Sequence, residues 1–397
     1  MKDKPKILII ILLSIFTILV IVFSILAVTY VIQRSNSETI NTDSPEISEE
    51  IDMAVSPQFD AKLVITGLNN PWDIVFLPDG SFVFTQRNNK IYLFKNSEAI
   101  LLAEPEDTYV RGEGGMLALA IDLEFETNRY IYTCFNSTRD GLDVRVVRWR
   151  LNEDNTLNDR VDIVTGLPSN QSGRHSGCQP EFGPDGYLWI GTGDAATGSN
   201  PQDPQSLGGK ILRIDRDGNP ASGNLESPFD PRIFSYGHRN VQGITFLKTT
   251  SSLNPVGVSS EHGPGIDDEI NMLSKGNFGW DPIPGYNEAV PMTDLNKYPD
   301  GIEAVWSSGN PTIAISGITQ INGKLWRIWD GAVAVAALRG NQVKILKFED
   351  NKLVELETIL TDIGRIRTIQ QGPDGNLYVL TDNGSNSDRI LRLVPKV

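Results

Sequence analysis

The chain has 397 residues, 21% of them charged, and a formal net charge of -15 at pH 7. That balance excludes the nucleic-acid binders, whose affinity depends on neutralising phosphates with a basic surface, and favours solubility outside a membrane for the bulk of the chain. Neither G-x-S-x-G nor H-E-x-x-H occurs, which disfavours the hydrolases built on those motifs, and no C-x-x-C-H is present to attach a haem.

In chain order, residues 1–6 (MKDKPK) are a basic start, and Ile7 to Ile32 then run without a charge. This exceeds the ~20 apolar residues a spanning helix requires. The alternative, a cleaved signal peptide, has an apolar core of only ~7–15 residues. Residues 7–32 are therefore expected to form a transmembrane signal anchor. Lys2, Lys4 and Lys6 precede it and only Arg34 follows closely, so the N-terminus is expected in the cytoplasm and the remainder outside the cell membrane. Residues 33–60 carry Glu38, Asp43, Glu46, Glu49, Glu50, Asp52 and Asp60 with no Lys between Ser35 and Asp60, and are expected to be an acidic, disordered linker.

Residues 61–397 show no linker-like break. A turn signal followed by a strand recurs: Leu77-Pro78-Asp79-Gly80 before SFVFTQ, Gly183-Pro184-Asp185-Gly186 before YLWIGTG, and Gly372-Pro373-Asp374-Gly375 before NLYVLTD. Weaker relatives precede YIYTCF at Tyr130 and LWRIW at Leu325, both read as strands. Second strands follow at hairpin distance, such as KIYLF, RVVRWRL, KILRID, QVKILKF and RILRLV. No sustained helical periodicity appears after the anchor. Strand pairs repeated every several tens of residues predict an all-β fold, a β-propeller, and the length suits six blades. Cys134 and Cys178 are equally readable as a disulfide in an oxidising setting or as two buried thiols. Asn136, Asn170 and Asn383 each open a glycan acceptor triplet.

The three histidines, His175, His238 and His262, all sit in polar, glycine-containing segments rather than on apolar faces. Such placing raises the chance of chemistry over a packing role. A propeller gathers blade-to-blade loops around one axial mouth, so the scattered motifs RGEGG, YGHRN, EHGPG, Arg339 and Arg365-Ile366-Arg367 are expected to meet there. Together they suggest a cationic pocket for a small ligand bearing several carboxylates. The competing reading pairs each arginine with a local Asp or Glu.

The ordered set GRHSG, GPDGYLWIGTGD, SLGGKILRID, YGHRNVQGITF, EHGPGIDDEINMLSKGNFGW, NPTIAISG and GRIRTIQQGPDGNLYVLTD resembles the soluble glucose and sorbosone dehydrogenases that use pyrroloquinoline quinone (PQQ), over about Gly67 to Leu393. The resemblance implies a six-bladed propeller and oxidation of an aldose sugar at its anomeric carbon to a lactone, with hydride transfer to the quinone. It implies that His175 is the general base, that Asp194 orients it, and that Arg239 and Asn240 contact the reactive edge of the quinone. It places the carbonyls of Gly263 and Pro264 on a calcium ion shared with the cofactor, with His262 beside it. Thr312, Arg365 and Arg367 match further cofactor contacts, Glu113 falls near the sugar, and Glu269 with the carbonyl of Phe278 resembles a second calcium site. Arg339 stands where the glucose-oxidising members have a cofactor-binding lysine, and Asn310 where they have tryptophan, which points to the broader aldose dehydrogenase branch. Electrons would pass to an external acceptor, a quinone or a cytochrome. The readings from other classes are a calcium-binding adhesion propeller without redox activity and a calcium-dependent lactone hydrolase on a similar fold.

Overall fold

The computed structural model describes residues 52–248 and 256–397. They form six four-stranded antiparallel sheets, the blades of a six-bladed β-propeller. The innermost strands are Pro71–Phe76, Met116–Ile121, Gly177–Phe182, Val241–Leu247, Ile315–Gln320 and Ile366–Gln371. Each touches the next, and the last returns to the first, so the ring is closed. Closure is made by the first strand of the described residues: Phe59–Leu68 pairs with Asp388–Pro395 and becomes the outer strand of the sixth blade, from Phe59 opposite Pro395 to Leu68 opposite Asp388.

The blades pack face to face through layers of buried aliphatic and aromatic side chains. Between the second and third blades, for example, Leu117, Tyr132 and Val144 meet Phe182, Leu188 and Ile190, each contributing about 1.5–3 kcal/mol by leaving water. The three Pro-Asp-Gly turns join the first and second strands of the first, third and sixth blades. In each the glycine N–H donates back to the residue three before it, Gly80 to Leu77, Gly186 to Gly183 and Gly375 to Gly372, and each glycine has positive φ. Antiparallel order then dictates the other end of the molecule. Where the turns mark one face, the start of every inner strand and the end of every second strand lie on the opposite face, around the mouth of the axis.

The predicted strand at LWRIW is instead a 3₁₀ helix, Lys324–Trp329, with the blade's second strand displaced to Val333–Ala337. Trp326 stacks on Trp329 with ring centroids 5.8 Å apart and planes 8° apart, across a break in the helix at Arg327, whose φ is 51°. Phe59 packs against both tryptophans. Phe59 and Asp60, expected in the linker, thus belong to the closing strand; its alternation of apolar and polar residues outweighs the acidity of the segment before it. Lys396 N–H donates to Gln58 O at 2.7 Å. Cys134 and Cys178 form a disulfide, with Cα atoms 6.0 Å apart, linking the second blade to the third. The predicted anchor at 7–32 lies outside the described residues; among those described, no helix is long and apolar enough to cross a membrane.

Candidate active site at the axial mouth

His175 precedes the inner strand of the third blade, and Asp194 follows that blade's second strand, so the hairpin itself brings them together. The approach is close: a Cβ on Gly193 would stand 1.9 Å from His175 O, which is why the second strand must end in glycine there. His175 (φ 52), Gly177 (φ 54) and Cys178 (φ 65) are all left-handed, a turn held by Glu113 Oε2, which accepts from His175 N–H at 3.0 Å, and by Ala195 N–H donating to His175 O. His175 and Asp194 are buried, with Nδ1 2.8 Å from Asp194 Oδ1. Asp194 also accepts from Ala196 N–H at 2.7 Å, Trp280 Nε1 at 2.9 Å and the Tyr286 hydroxyl at 2.7 Å. The Asp194 carboxylate oxygen accepts the proton of His175 Nδ1, which leaves the Nε2 lone pair turned toward the Arg174 side. The Arg174 guanidinium, 3.4 Å from Nε2, agrees with that tautomer. Burial is the main influence lowering the imidazole pKa, and Arg239 adds to it against the opposing pull of Asp194.

Arg239 and Asn240 lead into the inner strand of the fourth blade. Arg239 is buried, donates to His262 O at 2.7 Å and to Glu288 Oε1 at 2.7 Å, and lies over the Trp280 ring. Glu288 is shared with Arg174 at 2.9 Å. Arg365 and Arg367 open the inner strand of the sixth blade and both meet Asp382, at 3.5 and 3.1 Å; Arg87 adds its charge nearby. Arg367 Nη1 is 3.3 Å from Gln242 Oε1, which ties this cluster to the strand after Asn240. The arginines are therefore paired, as the competing reading held, but with too few carboxylates: Glu288 faces two guanidiniums, and Asp382 faces Arg367, Arg365 and Arg87. Each of these two carboxylates is thus shared by more than one guanidinium. Arg239 Nε, Asn240 Oδ1 and Arg367 Nε are buried and make no hydrogen bond within the described residues, as a site built for a polar, anionic ligand requires.

His262 and Gly263 follow the second strand of the fourth blade. Asp268 organises this corner, accepting from Gly263 N–H at 3.0 Å and from the Thr312 hydroxyl, with His262 Nδ1 at 3.4 Å. Glu269 sits opposite Glu261 across the strand pair. Burial first, and then the Glu261 charge, push its carboxyl up to about 8, and Asn271 Oδ1 beside them is buried and unpartnered. Two adjacent buried carboxylates and a spare carbonyl oxygen are the donor set a hard divalent cation takes. Phe278 joins the same region through His238, on which its ring stacks with centroids 4.4 Å apart, His238 in turn meeting Glu261 at 2.9 Å. Among the described residues, no cluster of three or more His, Cys, Asp or Glu is disposed to hold a metal.

The structure thus joins Glu113, His175, Asp194, Arg239 and His262 by direct contact, and connects Arg365 and Arg367 to them through Gln242. Arg339 ends the second strand of the fifth blade at the same mouth, but it is exposed, and it is its backbone N–H that is engaged, with Ile313 O. Sequence reasoning missed Arg174, Trp280, Tyr286 and Glu288. The last three come from the long insert after the third strand of the fourth blade, where only the Pro-Gly-Tyr chemistry of PIPGYNE gave a signal.

A closed propeller with a buried histidine–carboxylate pair beside a cationic axial mouth defines a small-ligand site on a rigid all-β scaffold. The glucose / sorbosone dehydrogenase family matches residues 68–392, and the chain belongs to that family of oxidoreductases. It is 30% identical over 347 residues to the aldose sugar dehydrogenase YliI of Escherichia coli, spanning 83% of this chain and 91% of that one. It is 26% identical to quinoprotein glucose dehydrogenase B of Acinetobacter calcoaceticus, over 87% and 90% of the two chains. The solved PQQ-bound aldose sugar dehydrogenase of Streptomyces coelicolor superposes with a TM-score of 0.70 at 29% identity, over 86% of this chain and 100% of that one.

Proposed function

We propose that the protein oxidises aldose sugars at the anomeric carbon to lactones, with pyrroloquinoline quinone as cofactor and an external quinone or cytochrome as electron acceptor. The observation that carries this reading is the buried His175–Asp194 pair, joined through Nδ1 at 2.8 Å, beside the Arg239, Arg365 and Arg367 guanidiniums. When bound, PQQ supplies the electron sink for the hydride of the anomeric carbon.

The chain's own residues do the rest. His175 Nε2 takes the proton of the anomeric hydroxyl, and Asp194 balances the imidazolium that forms. Arg239 and Asn240, with Nε and Oδ1 unpaired within the protein, hold the reactive edge of the cofactor; Arg365 and Arg367 bind its carboxylates, with Thr312, His262 and Arg339 completing the rim. Glu113 fixes the His175 backbone on the sugar side. Calcium, held by the carbonyls of Gly263 and Pro264, would polarise the bound quinone, and a second ion at Glu269 and the carbonyl of Phe278 would offset the Glu261–Glu269 repulsion. Residues 7–32 would anchor the enzyme in the cell membrane with the propeller outside, so that protease added to intact cells releases a soluble domain; finding the propeller only in the cytosol would overturn the anchor.

The test of function is to load the purified protein with PQQ and Ca²⁺ and follow dye reduction by a panel of aldoses. Quinone binding without reduction by any aldose would overturn the activity. Chelating calcium from the loaded protein is expected to lower Tm. Ions at 100 times their Kd stabilise by about 2.7 kcal/mol, so an unchanged Tm would remove calcium from the account.

A further inference from the structure

The Tyr286 hydroxyl is 2.7 Å from Asp194 Oδ2 and 2.8 Å from His175 Nδ1, so it touches both members of the pair. Its own O–H can go only to the carboxylate, because Nδ1 carries the proton that Asp194 Oδ1 accepts. The tyrosine oxygen then accepts a share of the same Nδ1–H. Two acceptors on one face of the imidazole hold its proton there more firmly than Asp194 alone. Tyr286 is half-buried, its ring lies against those of His175 and Trp280, and two residues on, Glu288 grips Arg174 and Arg239. One insert therefore reaches both the base and the arginine beside it.

We infer that Tyr286 is a positioning residue for the reaction: it fixes the His175 tautomer and tempers Asp194, so that His175 stays a weak enough base to be neutral when sugar arrives. This inference rests on the proposed role of His175. The charged and titratable groups facing His175 are Asp194 from its own blade, Glu113 from the loop before the second blade, Arg239 from the loop before the fourth, its neighbour Arg174, and Tyr286 itself. Of these, only Tyr286 acts by competing for the Asp194 carboxylate through a neutral O–H. Removing the hydroxyl ends both its acceptance of the shared Nδ1–H and its donation to Asp194; the bond to the charged carboxylate is the stronger of the two, so the net effect returns charge to Asp194 and raises the pH at which His175 gives up its proton.

The test is Tyr286→Phe, which keeps the ring. With three histidines in the chain, imidazole NMR titration of the apoprotein resolves each one. The His175 midpoint is expected to move to higher pH while the His238 and His262 signals and the Tm stay as in the parent. In the loaded enzyme, kcat should fall ~10-fold, about the worth of one hydrogen bond to a charged group, with KM little changed and the acid limb of the rate profile shifted the same way. A His175 midpoint that stays put or moves down overturns the inference. The titration needs no sugar oxidation, so a parent protein inactive toward every aldose would defeat the proposed function and leave Tyr286 still judged by NMR.

Discussion

His175→Ala is expected to lower sugar-dependent turnover by ~100- to 10,000-fold, the usual cost of losing a general base, while the protein still takes up quinone and calcium. The separation of effects follows from the geometry. His175 reaches the pocket through Nε2 alone, its other nitrogen being spent on Asp194, whereas the groups assigned to the cofactor stand on the fourth, fifth and sixth blades. Rapid-mixing turnover and a quinone titration on the same sample measure the two effects independently. A variant that keeps near-parental turnover would remove His175 from the mechanism; one that no longer binds quinone would make it a packing residue. The pH dependence has a definite sign. Because burial and Arg239 hold the imidazole pKa below its ordinary value, His175 remains an unprotonated base further into acid than a free histidine, and the acid limb of kcat/KM should fall below the ordinary imidazole range near 6.5.

A second large effect is expected in stability. Arg367 and Asp382 are both about 5% exposed and 3.1 Å apart, and the guanidinium also lies 3.7 Å from the centre of the Trp72 ring. Arg367→Met keeps most of the volume but takes from Asp382 its buried counter-charge, leaving the Asn70 hydrogen bond and the exposed Arg365, and breaking a buried pair from one side costs about 3–5 kcal/mol. Urea unfolding at neutral pH should show it. Burial by itself would raise the Asp382 pKa; Arg367, the Asn70 hydrogen bond, Arg365 and Arg87 more than reverse this and hold it below the ordinary value. A depressed carboxyl gives stability that is present above the unfolded pKa and lost as pH falls through the folded one. The deficit of Arg367→Met should therefore be full at neutral pH and shrink as pH drops through the carboxylate range, and Asp382→Asn added to it should recover much of the loss. Arg365, exposed and 3.5 Å from the same carboxylate, should cost at most about 1 kcal/mol when removed. Equal losses from the two arginines would show that Asp382 is not the buried counter-charge described.

The contrast between these arginines shows which parts of the molecule are readable in the sequence. The Pro-Asp-Gly turns could be read because φ > 0 calls for glycine at one position, and strand alternation because each blade buries its faces. Once a propeller is inferred, its loops are sent to one axial mouth, which is why His175, Arg239 and Arg365 could be named together, whereas Asp194 was named only through the family resemblance. What antiparallel order does not give is pairing. His175 and His238 occupy similar glycine-flanked settings, yet His238 is buried between Ser235 and Glu261 and His175 meets Asp194 and Tyr286. Tyr286, Trp280 and Glu288 come from an insert without periodicity, so only the folded chain reveals their partner. LWRIW was misread because a short apolar strand and a helical turn broken at Arg327, with tryptophans on either side of the break, look alike over five residues.

Closing the ring with the first of the described strands has a consequence for how the protein comes to be. Phe59–Leu68 leaves the ribosome long before its partner strand; Asn70 and Asp388, which clasp the seam by a hydrogen bond at 2.9 Å, are 318 positions apart. Until Asp388–Pro395 is made, that strand has no hydrogen-bonded neighbour and the sixth blade lacks its outer two strands. Long-range pairings form late because the loop entropy must be met first, and an unpaired strand edge is a template for other chains. The vulnerable interval in the life of this molecule is thus the wait for Asp388–Pro395, and a chain stopped just before Asp388 would hold the inner two strands of its sixth blade with no hydrogen-bonded seam to the first strand.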